Sequence, residues 1–353
     1  ITVFEANDYI GGHTHTHEIA LEKKNWRIDS GFIVYNENTY PNFIKLLKKL
    51  NVATQKTSMG FSIKAPDKNL EYSGGSLNSL FAQRRNLFRP SFYLMIKDIL
   101  RFNRVSISKL KDLSETTTIN EFLISNNFGK HFIKNYIIPM GAAIWSTAAE
   151  KVIEMPAVFY IRFFQNHGLL QINNRPQWHV IKDGSKSYIN KIIQSFESKV
   201  LLSTPVKKVK RYEHGVEVVY GNDKSSDIFD KVIFANHSDQ ALKLLDDPSP
   251  EENMILGALP YQKNVALLHT DSEILPNKKI TWSSWNYLLS VDNSKPVALT
   301  YNMNILQSLD SKTDFLVTLN GNDQVNPKKV IKTISYEHPL FTVAGVKAQK
   351  QKH

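Results

Sequence analysis

The sequence predicts an α/β protein in which a strand-rich start gives way to a helical middle, after which strands return. Three observations carry this. Ile1 to Phe4 read as a short apolar strand ending in an acid, Glu5, and the Gly11-Gly12 pair follows in a polar turn. Residues 76 to about 170 look mainly helical, and from Val200 the pattern changes to short apolar runs between polar turns. An acid closing an early strand suits a Rossmann βαβ unit, where the carboxylate after the second strand accepts hydrogen bonds from ribose hydroxyls, about 20 residues beyond a glycine-rich fingerprint. No G-x-G-x-x-G precedes Glu5, because nothing precedes Ile1. The expectation is a chain entered at the second strand, with roughly 25 to 30 residues of first strand, phosphate loop and helix upstream. The other reading of the segment is a β-hairpin turn, with Gly-Gly for positive φ and the acid in solvent.

Taken in order, Ile28 to Tyr35 is a candidate strand and Pro41 to Leu50 a helix with Leu, Ile and Phe at helical spacing. Thr118-Ile119-Asn120-Glu121 is a helix entry, and Asn127 to Ile138 continues the pattern until Pro139 ends it. LLSTPVKKVKRYEHGVEVVY reads as a strand, a turn and a second strand. Asp230 to Ala235 is a further strand, ending in Ala-Asn-His beside an amphipathic helix. That places small and polar groups at a strand's carboxyl end, where α/β folds bind ligands. Tyr261 to Leu319 alternates short strands with turns.

Composition bounds the function. A chain of 353 residues, 42% hydrophobic, can bury a large core and is long enough for two domains. The absence of cysteine excludes disulfides, thiolate metal sites and cysteine nucleophiles. With no run of 18 apolar residues and no secretory signal, the default is a cytoplasmic protein, soluble or peripheral at the inner membrane face. The net charge is +11, and its placement matters more than its size. Between Phe81 and Lys111 sit Arg84, Arg85, Arg89, Lys97, Arg101, Arg104, Lys109 and Lys111 against one acid, Asp98, interleaved with Phe, Tyr, Leu and Ile. Such a segment is a candidate contact with an anionic membrane surface, or a packed helix with a solvated basic face. No helix-turn-helix, zinc or RNA-recognition pattern accompanies the charge, so nucleic acid is not expected.

The string E-A-x-x-x-x-G-G-H-T-x-T, followed by Asp29-Ser30-Gly31-Phe32, resembles the FAD-binding start of the amine-oxidase and phytoene-desaturase superfamily. Later strings, among them YPNFIKLL, LFAQRRNLF, PMGAAIWS, RPQW, SSWNYLL and TYNMNILQSL, resemble a bacterial group of FAD-dependent oxidoreductases, some of which occur beside or fused to cyclopropane-fatty-acid synthases. The resemblance implies a Rossmann-type FAD-binding domain, lacking its first strand and Gly-rich loop here, interleaved with an α+β substrate domain. Residues 1–75 would be the first part of the FAD domain, 76–180 a mainly helical substrate or cap domain, 181–245 the return to the FAD domain, and 246–353 the substrate-domain sheet with the start of a C-terminal FAD segment. That last segment is expected to be cut short after HPLFTVAG. The cofactor positions carried over are Glu5 for the adenosine ribose, Gly11, Gly12, His13 and Thr14 near the pyrophosphate, Gly31, Phe32 and Ile33, Val206 beside the adenine, and Ala235. His13 stands where relatives usually have Arg, and a neutral imidazole offers one donor where guanidinium offers five. Asp183-Gly184-Ser185 replaces a Gly-Gly-Ser turn, with Ser185 a suitable N-cap.

In such enzymes the flavin performs the redox step, which agrees with the lack of any nucleophile elbow, paired-carboxylate motif or HExxH. His13, His15 and His17 alternate and invite a metal reading, but the Gly-Gly turn and the resemblance explain the string, no nearby acid completes a set, and no metal is expected. Trp145 and Trp285 adjoin small or hydroxyl residues such as Ala143, Ser146 and Ser284 and are candidate pocket residues, with packing in the core the alternative. His167 and His237 are either proton shuttles or satisfied structural histidines. The expected reaction is hydride transfer between flavin and a hydrophobic substrate, a fatty acyl or phospholipid chain, with association with a fatty-acid-modifying methyltransferase. The alternative is a non-catalytic accessory module for that methyltransferase.

Overall fold

The computed structural model describes residues 1–66, 69–145, 147–171, 175–289 and 298–351; Ser146 lies outside them. Its centre is a seven-stranded mixed sheet in the spatial order Val330–Pro339, Tyr261–His269, Leu316–Leu319, Ala298–Asn302, Trp285–Leu288, Phe61–Ala65, Leu70–Ser73. The last two strands come from the stretch that the sequence reading gave to the FAD domain. They join the sheet where Phe61–Ala65 runs parallel to Trp285–Leu288.

Both faces of the sheet are covered. On one, Ile63, Tyr72, Tyr287 and Leu299 pack into the helical domain, whose core is Phe102, Phe122, Phe128, Phe132, Tyr160 and Phe164. On the other, Ala266, Leu268, Val317 and Tyr336 meet Trp26 and Ile28 of an N-terminal hairpin. A smaller sheet, Val34–Asn36, Trp178–Ile181 and Thr54–Thr57, carries the helices Pro41–Lys49 and Lys186–Ile193 on Tyr35, Leu47, Ile181 and Tyr188.

The helical middle follows its sequence signals with one exception. Thr118 and Glu121 form a reciprocal capping box at the start of Ile119–Ser125. Pro139, expected to end a helix, lies inside one: the chain passes through a π-turn at Ile133–Ile137 and continues as α-helix from Ile138 to Trp145. Proline cannot donate to the carbonyl four residues back, that of Asn135. The Tyr72 hydroxyl donates to that carbonyl instead, at 2.7 Å.

Ile28 to Tyr35 is not one strand but two, Lys24–Asp29 and Val34–Asn36, separated where Ser30 to Ile33 turn. Val3–Phe4 pairs parallel with Val200–Leu201, and a three-stranded antiparallel sheet follows at Val206–Tyr212, Gly215–Tyr220 and Ser225–Phe229. The strand expected at Asp230 to Ala235 does not form. The segment finds no ladder partner among the described residues, so its peptide groups are left to water and Ile233 is 91% exposed. No helix among the described residues is long and apolar enough to cross a membrane.

Candidate functional site

Gly11 and Gly12 hold φ values of 120° and 56°, and a tight turn closes from Thr14 N to Gly11 O at 2.8 Å. They do not join two paired strands. The hairpin lies further on, where Glu22 and Lys23, both at positive φ, connect Thr16–Leu21 to Lys24–Asp29. The glycine turn is instead clamped from the side. Phe32 N donates to His13 O at 2.7 Å, and a Cβ on Gly31 would stand 2.1 Å from that same oxygen. Gly11 to Thr14 and Gly31 to Phe32 are thus brought into direct contact, while Ile33 is buried in the core beneath.

Asp29, whose role the sequence did not disclose, is buried at the centre of this junction. Its carboxylate accepts from the Thr16 hydroxyl at 2.5 Å and from Ser185 N and Oγ at 3.0 and 2.9 Å. Thr16 Oγ1 in turn accepts from Lys186 N at 2.9 Å, so Asp29 and Thr16 cap the helix Lys186–Ile193. Ser185 occupies the N-cap position but its hydroxyl serves Asp29, and it does not cap the helix itself. Burial pushes the Asp29 carboxyl up to about 6, against the pull of these donors. Asp183 takes a left-handed conformation at φ 64°. The glycine retained, Gly184, is the position where a Cβ would meet Thr16 Cγ2 at 2.4 Å.

Histidines and tyrosines line the turn's other side. The strand Val330–Pro339 brings Tyr336 and His338 against His13, with ring centroids 4.8 and 5.5 Å away, and His237 stands 6.0 Å off, stacked on Tyr261. The rings of His15 and His17 lie 4.0 Å apart. His17 Nε2 pairs with Ser30 Oγ at 2.8 Å, and Ser30 Oγ with Tyr336 OH at 2.7 Å. Burial, reinforced by neighbouring histidines, lowers His13, takes His338 to about 4 and takes His17 to about 3. For His15 burial lowers the pKa too, with Lys332 adding to the effect. These imidazoles are neutral at pH 7. Among the described residues no three His, Asp or Glu side chains are placed to hold a metal ion.

Glu5 closes the parallel strand pair: its N–H donates to Leu201 O at 2.9 Å and its carbonyl accepts from Thr204 N at 2.8 Å. Its carboxylate accepts from Asn7 N and Nδ2 at 2.8 and 2.9 Å. Val206 begins its strand two residues after Thr204, opposite Tyr220, whose ring packs 4.5 Å from Phe4. Ala235 is exposed in the unpaired segment and is not joined to the others.

The aromatic candidates form a series. Trp178, on the strand beside Val34–Asn36, stacks with His167 at 5.9 Å; His167 stacks on Phe163 at 3.9 Å, and Phe163 meets Trp145 at 5.0 Å. From Trp145 the contacts run through Phe159, 5.6 Å away, to Phe341, 4.4 Å further, just beyond the strand bearing Tyr336 and His338. His167 Nδ1 donates to Phe163 O at 2.9 Å, and burial lowers its pKa. Trp285 lies apart, edge-on to Tyr301 at 5.8 Å, and its buried Nε1 has no hydrogen-bond partner among the described residues. Both tryptophans belong to the core beneath the helical domain.

Flavin adenine dinucleotide suits these groups. A Cβ at Gly12 would meet nothing within 4 Å, which leaves the backbone of the turn approachable, and His13 Nε2 is a buried polar atom with no partner among the described residues. The model for flavin-containing amine oxidoreductases matches residues 1–293. No curated protein sequence is similar to the chain. Among solved structures, putrescine oxidase with putrescine bound shares 14% identity, covering 99% of this chain and 84% of its own, with a TM-score of 0.64. Cyclohexylamine oxidase from Brevibacterium oxydans is 14% identical over 98% of this chain and 84% of its own, TM-score 0.62. A fatty acid isomerase from P. acnes that produces CLA is 13% identical over 97% and 80%, TM-score 0.62. With the family model spanning most of its length and the fold in agreement, the chain belongs to the flavin-containing amine oxidoreductases and is an FAD-dependent oxidoreductase.

Proposed function

We propose that the substrate is a hydrophobic carbon chain, a fatty acyl or phospholipid chain, met at the inner face of the membrane. The observation that carries this is the aromatic series from Trp178 through His167, Phe163, Trp145 and Phe159 to Phe341. Burial lowers the pKa of its one titratable member, His167, so the wall is an apolar surface that suits a carbon chain. The similarity to a fatty acid isomerase agrees with such a substrate, whereas two other similar structures are amine oxidases.

Glu5 would accept from the ribose hydroxyls, the turn Gly11 to Thr14 with Gly31 and Phe32 would border the pyrophosphate and flavin with Ile33 packed beneath, and Val206 would flank the adenine end. Bound there, FAD supplies two-electron chemistry, taking a hydride from a substrate carbon or returning one. The chain's own part is to orient the carbon chain along the aromatic wall and to keep water from it. Trp145, Trp285 and His167 are the proposed pocket residues.

Anaerobic bleaching of the flavin absorbance of the FAD-loaded protein decides between substrates. Bleaching by an unsaturated or methylene-modified acyl lipid, with a raised KM in Trp145→Ala, is expected. Bleaching by putrescine or cyclohexylamine and by no lipid would overturn the reading.

A further inference from the structure

The basic segment after Phe81 folds as a short 3-10 turn, Arg84–Phe88, and a 20-residue helix, Pro90–Lys109. The helix has two faces. Phe92, Met95, Phe102 and Ser106 are buried against the helical core. Tyr93, Leu94, Lys97, Leu100, Arg104 and Ile107 are exposed, and at about 100° per residue they fall within an arc of roughly 140° on the opposite side. Leu94 is 60% exposed on that arc, and Phe88, at the turn leading into it, is 86% exposed. Large apolar side chains and cations thus share one exposed arc, the composition of an interfacial helix.

The charge on this face is unbalanced. Asp98, the one acid between Phe81 and Lys111, is occupied by Arg101 at 2.9 Å and by Gly129 N at 2.9 Å. Lys97, Arg104 and Lys111 have no acidic partner among the described residues, and acids resume in the sequence at Asp112 and Glu115. A second copy of the chain would bring like charges together. A nucleic acid base could stack on Phe88, but nucleic acid would have no use for the aliphatic Leu94 and Leu100 standing out among the cations.

We infer that this face docks on an anionic lipid bilayer, with Phe88, Leu94 and Leu100 entering the headgroup region and Lys97, Arg104 and Lys111 bound to lipid phosphates. The inference deepens the acyl-substrate reading, on which its purpose rests, by naming where the protein meets its substrate. Its test is independent of flavin chemistry.

The measurement is co-sedimentation with vesicles of phosphatidylcholine alone or with 30% phosphatidylglycerol. Binding is expected only to the anionic vesicles, weakening as salt rises. The triple variant Lys97→Gln, Arg104→Gln, Lys111→Gln should lower the partition coefficient about 100-fold, each cation contributing roughly fivefold. Phe88→Ser with Leu94→Ser should also lose binding, since these exposed side chains do not support the fold. Leu94→Trp provides a second readout, a blue-shifted emission on anionic vesicles. Equal binding to both vesicle types, no binding to either, or displacement by single-stranded RNA with the serine variant unaffected would overturn the inference. Each of these results would leave the flavin-bleaching test of the acyl substrate standing.

Discussion

Gly31→Ala tests the clamp that holds the glycine turn. The added methyl would stand 2.1 Å from His13 O and 2.9 Å from His13 C, both backbone atoms that cannot rotate aside. To clear a normal contact the two segments must part by about 1 Å, which also breaks the bond from Phe32 N to His13 O at 2.7 Å. Overpacking of this kind costs about 1–3 kcal/mol and the hydrogen bond about 1 kcal/mol more, giving roughly 2–4 kcal/mol together. Gly12→Ala is the control. Nothing lies within 4 Å of its Cβ, so it carries only the left-handed backbone penalty at φ 56°, roughly 1–2 kcal/mol. Urea unfolding followed by tryptophan fluorescence measures both variants, and FAD retention should fall further in Gly31→Ala because the turn itself is displaced. A Gly31→Ala protein no less stable than Gly12→Ala would refute the close approach of the two segments.

Three further outcomes follow from the site and its supports. Glu5→Ala should weaken FAD binding about 10- to 100-fold, the loss of a charged acceptor worth roughly 1.5–3 kcal/mol, read by flavin titration; unchanged affinity would place the carboxylate in solvent. Tyr72→Phe removes the donor to the carbonyl that Pro139 cannot bond and should destabilise the protein by about 1–3 kcal/mol in urea, with a smaller loss in a Pro139→Ala background, where a backbone N–H is restored. Acid stability has opposed contributors, with the histidines lowered by burial, His17 foremost and then His338, on one side and Asp29 on the other. His17, near 3 in the fold against 6.5 unfolded, contributes stability that is complete above pH 6.5 and lost as pH falls toward 3, about 5 kcal/mol in all. Asp29, raised from 3.8 to about 6, contributes stability present below pH 4 and lost as pH rises through 6, about 3 kcal/mol. The urea midpoint should therefore fall between pH 6.5 and 4, and fall more steeply in Asp29→Asn; an unchanged slope in that variant would show that Asp29 keeps its ordinary pKa.

Features that depend on neighbours in the chain were legible before the structure. The helix Pro41–Lys49, the Thr118–Glu121 capping box and the hairpin around Glu213 and His214 are written in local spacing. So is the positive φ of Gly11 and Gly12. What escaped depends on distant partners. Pro139 reads as a stop because the hydroxyl that serves the Asn135 carbonyl belongs to Tyr72. Asp29 reads as part of the Asp29-Ser30-Gly31-Phe32 string without a role of its own, because Ser185, 156 residues later, and the helix that Asp29 helps to cap are distant in sequence. Tyr336 carries no motif and His338 only opens the string HPLFTVAG, and the pairing of Val330–Pro339 with Tyr261–His269 delivers both to His13. The apolar run from Asp230 to Ala235 has strand composition, but a strand also requires a neighbour to bond.

The parallel pairing of Phe61–Ala65 with Trp285–Leu288 imposes an order of events on the ribosome. About 220 residues separate the two strands, so at 5–20 residues per second the first leaves the exit tunnel roughly 10 to 45 s before its partner. Until then the nascent hairpin Phe61–Ser73 presents an open edge, and Ile63, wholly buried at the end, is exposed to any other unfinished chain. Lys64 is the one charge on that strand. In the finished protein its ammonium donates to the carbonyls of Glu273 and Leu275 at 2.9 and 2.8 Å. During synthesis the same ammonium, still hydrated, discourages edge-to-edge association, so one side chain first guards the hairpin and later fastens the loop before Trp285 against it.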